Sequence, residues 1–218
     1  MAMAPTPSGT SDLAALLKAA TATQHRRVER SPFMSLLLAG ELPRTQYVLL
    51  LHNLQALYGN LEPALLHHAA HPALAPLQLH RLFRSESLAH DQAALYRACD
   101  PPPELLPTMV AYVTRLGELG RMTPVLLTAH AYVRYLGDLN GGQALGAIVA
   151  RAYGLGGRSG TRFYDFGSDA TRLQLIEDFR VGLRVIGQQV LQPEAIVAEA
   201  VGAFERHAAL FDELEARL

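Results

Sequence analysis

The sequence predicts an all-α fold, on three observations. Apolar residues, led by Leu and Ala, recur at intervals of three and four along almost the whole chain, the spacing of one helix face. Period-two alternation, the mark of a half-buried strand, is nowhere convincing. The breaks between periodic segments carry helix-end chemistry: Ser or Thr before, Pro in the first turn, Gly after.

Each element follows in order. Residues 1–9 read as a flexible start, and residues 10–218 as one helical domain. The first helix is predicted from about Asp12 to Arg30, capped by Thr10 or Ser11. Ser31-Pro32 restarts a short helix that Gly40 ends. A long helix runs from about Pro43 to His71, with Gly59 as a possible bend, and Pro72 and Pro76 break it. Another is expected from about Leu77 to Ala98. Asp100-Pro101-Pro102-Pro103 reads as a rigid turn rather than a linker, because helical periodicity resumes at once. Helices are predicted from about Glu104 to Leu119 and from Pro124 to Tyr153. The Gly-rich tract from Gly154 to Ser168 is irregular. Helices from about Asp169 to Leu191 and from Pro193 to Arg217 complete the chain.

Bulk properties narrow the function. With 218 residues, half of them hydrophobic, a core can form without disulfides. The 19 basic and 20 acidic side chains give a net charge of −1, which argues against broad electrostatic binding to nucleic acid or to an anionic membrane. Cys99 is the only cysteine, so no internal disulfide forms and a reducing cytoplasm is the expected compartment. No apolar run is long enough for a membrane anchor. A monomer is expected.

Nine histidines raise the question of metal chemistry. The sequence contains no Glu-x-x-His, no His-Glu-x-x-His and no Cys-based zinc spacing, which disfavours a bare polynuclear site. One histidine holding a cofactor stays open. Lys18, His25 and Glu29 lie near one face of the first helix, with Lys18 about 10 Å from His25 along the axis. Such a stripe suits an imidazole that ligates a cofactor's metal beside a lysine that meets its carboxylate; it also describes an ordinary solvated face.

The segment Tyr132-Val133-Arg134-Tyr135-Leu136-Gly137-Asp138-Leu139-Asn140-Gly141-Gly142-Gln143 is unusual. Three glycines inside a helical pattern cost about 2–3 kcal/mol in helix preference, so something requires them. Close helix–helix packing is one reason. A backbone that must approach a flat ligand is the other. Asp138, four residues after Arg134, places a carboxylate beside the bare backbone.

Ala129 to Gln143, read as one uninterrupted string, resembles the signature of the haem oxygenase family. Ala22-Thr23-Gln24-His25-Arg26-Arg27-Val28-Glu29 is similar to that family's proximal helix, and Ala203-Phe204 with Leu210-Phe211-Asp212-Glu213-Leu214 to its last helix. The resemblance spans about Leu13 to Leu214. It implies a haem lying between a proximal N-terminal helix and a kinked Gly-rich distal helix. His25 would ligate the iron, with Glu29 orienting it. Gly137 and Gly141 or Gly142 would admit the distal backbone close to the iron. Asp138, with Arg134 and Tyr58, would anchor the water network that delivers protons during O2 activation. Lys18, Tyr132 and Arg180 match propionate contacts, and Met34 and Phe204 match apolar pocket positions.

Two departures stand out. Ile176 occupies the place of a second basic propionate contact, for which Arg172 is the nearest substitute. His207 occupies the place of an amide in the distal network. The implied reaction takes haem, O2 and electrons to biliverdin, ferrous iron and CO. Gly154-Leu155-Gly156-Gly157 follows a helix rather than a strand, so it is no dinucleotide fingerprint, and a separate electron donor such as a reductase or ferredoxin is implied. Alternatives are a non-catalytic haem carrier or sensor, or a helical module without haem. A thiaminase-like helical fold would want a nucleophilic cysteine, and Cys99 before the proline run is a poor candidate.

Overall fold

The computed structural model describes residues 12–157 and 159–218. The caps expected at Thr10 and Ser11, and the flexible start expected over residues 1–9, lie outside the described residues. Eight α-helices and no strand occur among the described residues: α1 (Leu13–Glu29), α2 (Pro32–Ala39), α3 (Arg44–His67), α4 (Ser85–Leu95), α5 (Pro107–Met122), α6 (Leu127–Ala152), α7 (Asp169–Gln189) and α8 (Pro193–Glu215).

Local chemistry sets most helix ends. Asp12 caps α1 by accepting from the amides of Ala14 and Ala15 at 3.1 and 3.3 Å. Ser31 caps α2 through the Met34 amide, and Gly40 ends that helix at φ +74°, a conformation that favours glycine. Within α3, Pro63 has no amide to give the Gly59 carbonyl, yet the helix continues through both.

Two boundaries differ from expectation because distant side chains decide them. The helix expected from Leu77 to Ala98 is three pieces: 3-10 turns at Ala75–Leu77 and Leu79–Leu82, then α4. Gln78 takes a left-handed φ of +46° between the turns. Glu62 of α3 then accepts from the amides of Arg84 and Ser85 and from the Ser85 hydroxyl, capping α4 from another helix. Similarly, α5 starts at Pro107 rather than Glu104. Asn53 of α3 accepts from the Leu106 amide at 2.9 Å and donates to the Glu104 carbonyl at 3.1 Å, so this stretch stays extended. Asp91 of α4 organises the irregular tract, accepting the amides of Arg162 and Phe163 at 2.8 and 2.7 Å.

All eight helices contribute to one contiguous apolar core. The last helix, α8, packs against α1, α2, α5 and α6, and α1 also packs against α7. No described helix is long and apolar enough to cross a membrane.

On the outer side of this core α7 approaches the chain at Pro76 very closely. A Cβ on Gly182 would lie 2.6 Å from the Pro76 carbonyl oxygen and 2.9 Å from a Leu77 methyl. Backbone atoms there have little room to yield. Gly182→Ala is therefore expected to destabilise the fold by about 1–3 kcal/mol. Chemical denaturation checks it; an unchanged midpoint would show that the two segments separate freely.

Candidate functional site

His25 sits near the end of α1 with 48% of its side chain exposed. Its Nδ1 lies 3.2 Å from Glu29 Oε2, one turn later. Glu29 thus flanks Nδ1, which leaves Nε2 as the nitrogen able to ligate iron. Phe204 of α8 meets the imidazole edge-on, with ring centroids 5.7 Å apart.

Asp138 and Arg134 of α6 form one buried cluster with Tyr58 of α3. The Tyr58 hydroxyl donates to Asp138 Oδ2, and Arg134 Nη2 donates to Oδ1 at 2.9 Å. Arg134 Nε donates to the Tyr58 oxygen at 3.0 Å, and Nη1 to His207 Nε2 at 2.8 Å. Burial pushes the Asp138 carboxyl up, against the pull of Arg134, the Tyr58 hydrogen bond and Arg84. Burial likewise pushes the Tyr58 phenol well up. For the Arg134 guanidinium burial acts the other way, but Asp138 and Tyr58 outweigh it and keep the group charged. The cluster thus holds one fixed cation paired with a carboxyl whose pKa burial raises.

His207 completes the cluster as a neutral ring. Its Nδ1 donates to the Ala203 carbonyl at 3.1 Å, so Nε2 is the acceptor that Arg134 requires. Burial, then Arg134, hold its pKa well below the ordinary histidine value. Phe204 and His207 lie three residues apart on α8, nearly one turn. One short piece of helix therefore touches His25 on one side and the Arg134–Asp138 cluster on the other.

The glycines of α6 divide between the two roles left open by the sequence. A Cβ on Gly137 or Gly141 would meet nothing within 4 Å, so both face open space. A Cβ on Gly142 would lie 3.4 Å from the Tyr164 ring, and one on Gly146 3.1 Å from Tyr164 Cβ. Gly137 and Gly141 leave the backbone beside Asp138 bare. Gly142, also expected at the cofactor, turns its Cβ position towards Tyr164, as Gly146 does.

The remaining expected residues are less tightly gathered. Tyr132 is half-buried, its hydroxyl 3.5 Å from that of Thr21, so α1 and α6 approach each other there. Lys18 and Arg180 are exposed on α1 and α7, two helices that pack together. Met34 is half-buried on α2 against the core, and Phe204 is buried. Ile176 is buried in the apolar core. A surface groove of about 210 Å³ between α3 and the Pro101–Glu104 stretch lies elsewhere and contains none of these residues.

Sequence reasoning did not find the polar chain behind His207. The Tyr112 ring of α5 meets the His207 ring edge-on at 5.2 Å, and its hydroxyl donates to His130 Nδ1 at 3.0 Å. His130 Nε2 in turn donates to Glu199 at 3.1 Å, which Arg115 also holds at 2.7 Å. Burial lowers the His130 pKa despite this carboxylate. His130 lay within the quoted string, but its partners come from α5 and α8, and no spacing within one helix announces them.

The residues present fit a flat, iron-bearing group. A half-exposed imidazole offers Nε2, and two glycines one turn apart leave a side-chain-free face.

Comparison with known proteins gives a consistent picture. The sequence profile of the family described as "Heme oxygenase" matches residues 11–213. The chain is 34% identical over 210 residues to the haem oxygenase of Porphyra purpurea, covering 95% of this chain and 89% of that protein. It is similar to the crystal structure of haem oxygenase-1 from the cyanobacterium Synechocystis in complex with haem, with a TM-score of 0.84 and 30% identity over 94% of this chain and 93% of the other. Haem oxygenase-2 of Synechocystis, in complex with haem and NO, gives a TM-score of 0.87 at 32% identity, covering 94% of this chain and 86% of that one.

Proposed function

Because the chain belongs to the haem oxygenase family, we propose that it binds haem through His25 and, with O2 and electrons, cleaves it to biliverdin, ferrous iron and CO. The observation that carries this reading is the buried Asp138 carboxyl, held by Tyr58 and Arg134 beside the bare backbone of Gly137 and Gly141. Storage of haem has no use for such a group, which argues against the carrier or sensor reading.

Haem, when bound, supplies both the iron that activates O2 and the ring that is opened. The residues of this chain do the rest. His25 offers Nε2 while Glu29 fixes the ring through Nδ1. Asp138 anchors the water network that delivers protons, through a carboxyl whose buried oxygens accept from Tyr58 and Arg134. Tyr58 and Arg134 set the carboxyl's direction, and neutral His207 holds Arg134 in place. Lys18, Tyr132 and Arg180 would meet the propionates, where cationic and hydroxyl donors suit carboxylates. The electron donor is a separate protein, a reductase or a ferredoxin. A monomeric, single-domain, cytoplasmic enzyme is the simplest setting, supported by the single shared core and the lone cysteine.

The test is to mix the purified protein with haemin, record the visible spectrum, then add reductant and air. A shifted Soret band followed by bilin absorption is expected. No shift would refute haem binding. A stable haem complex that yields no bilin would favour the carrier.

A further inference from the structure

Arg172 stands in the first turn of α7, capped by Ser168. Its Nη1 donates to the backbone carbonyl of Leu139 on α6 at 3.0 Å. Its only other charged contact among the described residues is Asp169, whose carboxylate is 3.6 Å away and 68% exposed. The side chain itself is 21% exposed, and its buried Nε finds no partner among the described residues. The guanidinium is thus committed chiefly to one backbone oxygen.

That oxygen has an unusual place. Leu139 follows Asp138 directly, and in an α-helix its carbonyl is normally used by the amide of Gln143. Gly141 and Gly142 lie between the two, so helix preference is at its weakest in this turn. Gly137 and Gly141 have no side chains and face open space, so they pin nothing. Tyr164 supports the segment at Gly142 and Gly146. Arg172 supplies a second hold, a charge-assisted hydrogen bond from another helix. Along α7, Arg172, Ile176 and Arg180 follow at four-residue steps, and Ile176 between the two cations is buried. The first cation of this row reaches α6 rather than standing free for a ligand carboxylate.

We propose that Arg172 is a positioning residue: it clasps α6 at Leu139 and so fixes Asp138 against Tyr58 and Arg134, rather than contacting a haem propionate. The inference rests on the haem oxygenase reading for its consequence, but its structural half is tested without haem. In the haem-free protein, Arg172→Ala is expected to raise amide hydrogen exchange over residues 139–143 by about ten-fold, the scale of one charge-assisted hydrogen bond, while exchange in α1 and α3 stays put. Arg172→Lys, which keeps the charge but not the reach and fork of the guanidinium, should give an intermediate rise. In the haem-loaded protein both variants are expected to bind haem within about three-fold of the parent, while bilin yield falls about five- to ten-fold in Arg172→Ala. Should Arg172→Ala fail to fold, Arg172→Lys and Arg172→Gln carry the same comparison. Unchanged exchange over 139–143 overturns the clasp. Weakened haem binding with unchanged exchange assigns Arg172 to the propionate instead. A parent protein that yields no bilin refutes the functional reading and leaves the exchange result standing on its own.

Discussion

Asp138→Asn is expected to lower bilin yield per haem by about 10²-fold, the usual worth of a positioned proton donor or acceptor, while haem still binds. The amide keeps the shape of the carboxyl and can accept from Arg134, but it neither carries a proton nor balances the buried cation. Asp138→Ala removes both hydrogen-bonding oxygens and leaves Arg134 with only Tyr58 and His207. Losing one partner of a buried ion pair costs about 3–5 kcal/mol, so the Ala variant should also melt earlier than the Asn variant. In both, peroxide-dependent oxidation of an added phenol is expected to rise as ring opening falls. Chromatographic bilin yield, a phenol-oxidation assay and thermal melts together check this. Parental bilin yield in Asp138→Asn would remove the carboxyl from the reaction.

His25→Ala has the opposite profile. The imidazole is half exposed and its chief contacts are Glu29 and the edge of Phe204. The haem-free protein should therefore lose no more than about 0.5–1 kcal/mol. The loss is expected on loading: if His25 is the ligand proposed above, the visible spectrum should lack a nitrogen axial ligand and turnover should fall about 10²-fold or more. Added imidazole should restore the nitrogen-ligand spectrum. A parental spectrum in His25→Ala would move the ligand elsewhere. The two variants would separate a group proposed to act from within the fold from one proposed to act only on the cofactor.

The candidate site was legible in the sequence to different depths. The Asp138–Arg134 pair was legible because both residues stand on one helix, four apart, and the structure joins them at 2.9 Å. Tyr58, Phe204 and His207 come from α3 and α8, so physics along the chain gave them no reason; only the resemblance named them. Tyr112 and Glu199 were missed by both routes. The glycines divided in a way that spacing does not reveal, since Gly141 and Gly142 are adjacent yet one faces open space and the other Tyr164.

What the sequence determined by itself is whatever local energetics decide: the helical class, the Ser31 and Gly40 ends of α2, the break at the prolines, and the stripe that carries His25. Capping, backbone strain and the 3.6-residue period act over a few residues, so they can be read from a few residues. The tertiary structure alone decided the rest. Glu62 set where α4 begins, Asn53 where α5 begins, and α8 which face of the fold joins His25 to Asp138. Each depends on a buried polar group finding its partner across tens of residues, and burial is a property of the packed chain that no local segment possesses.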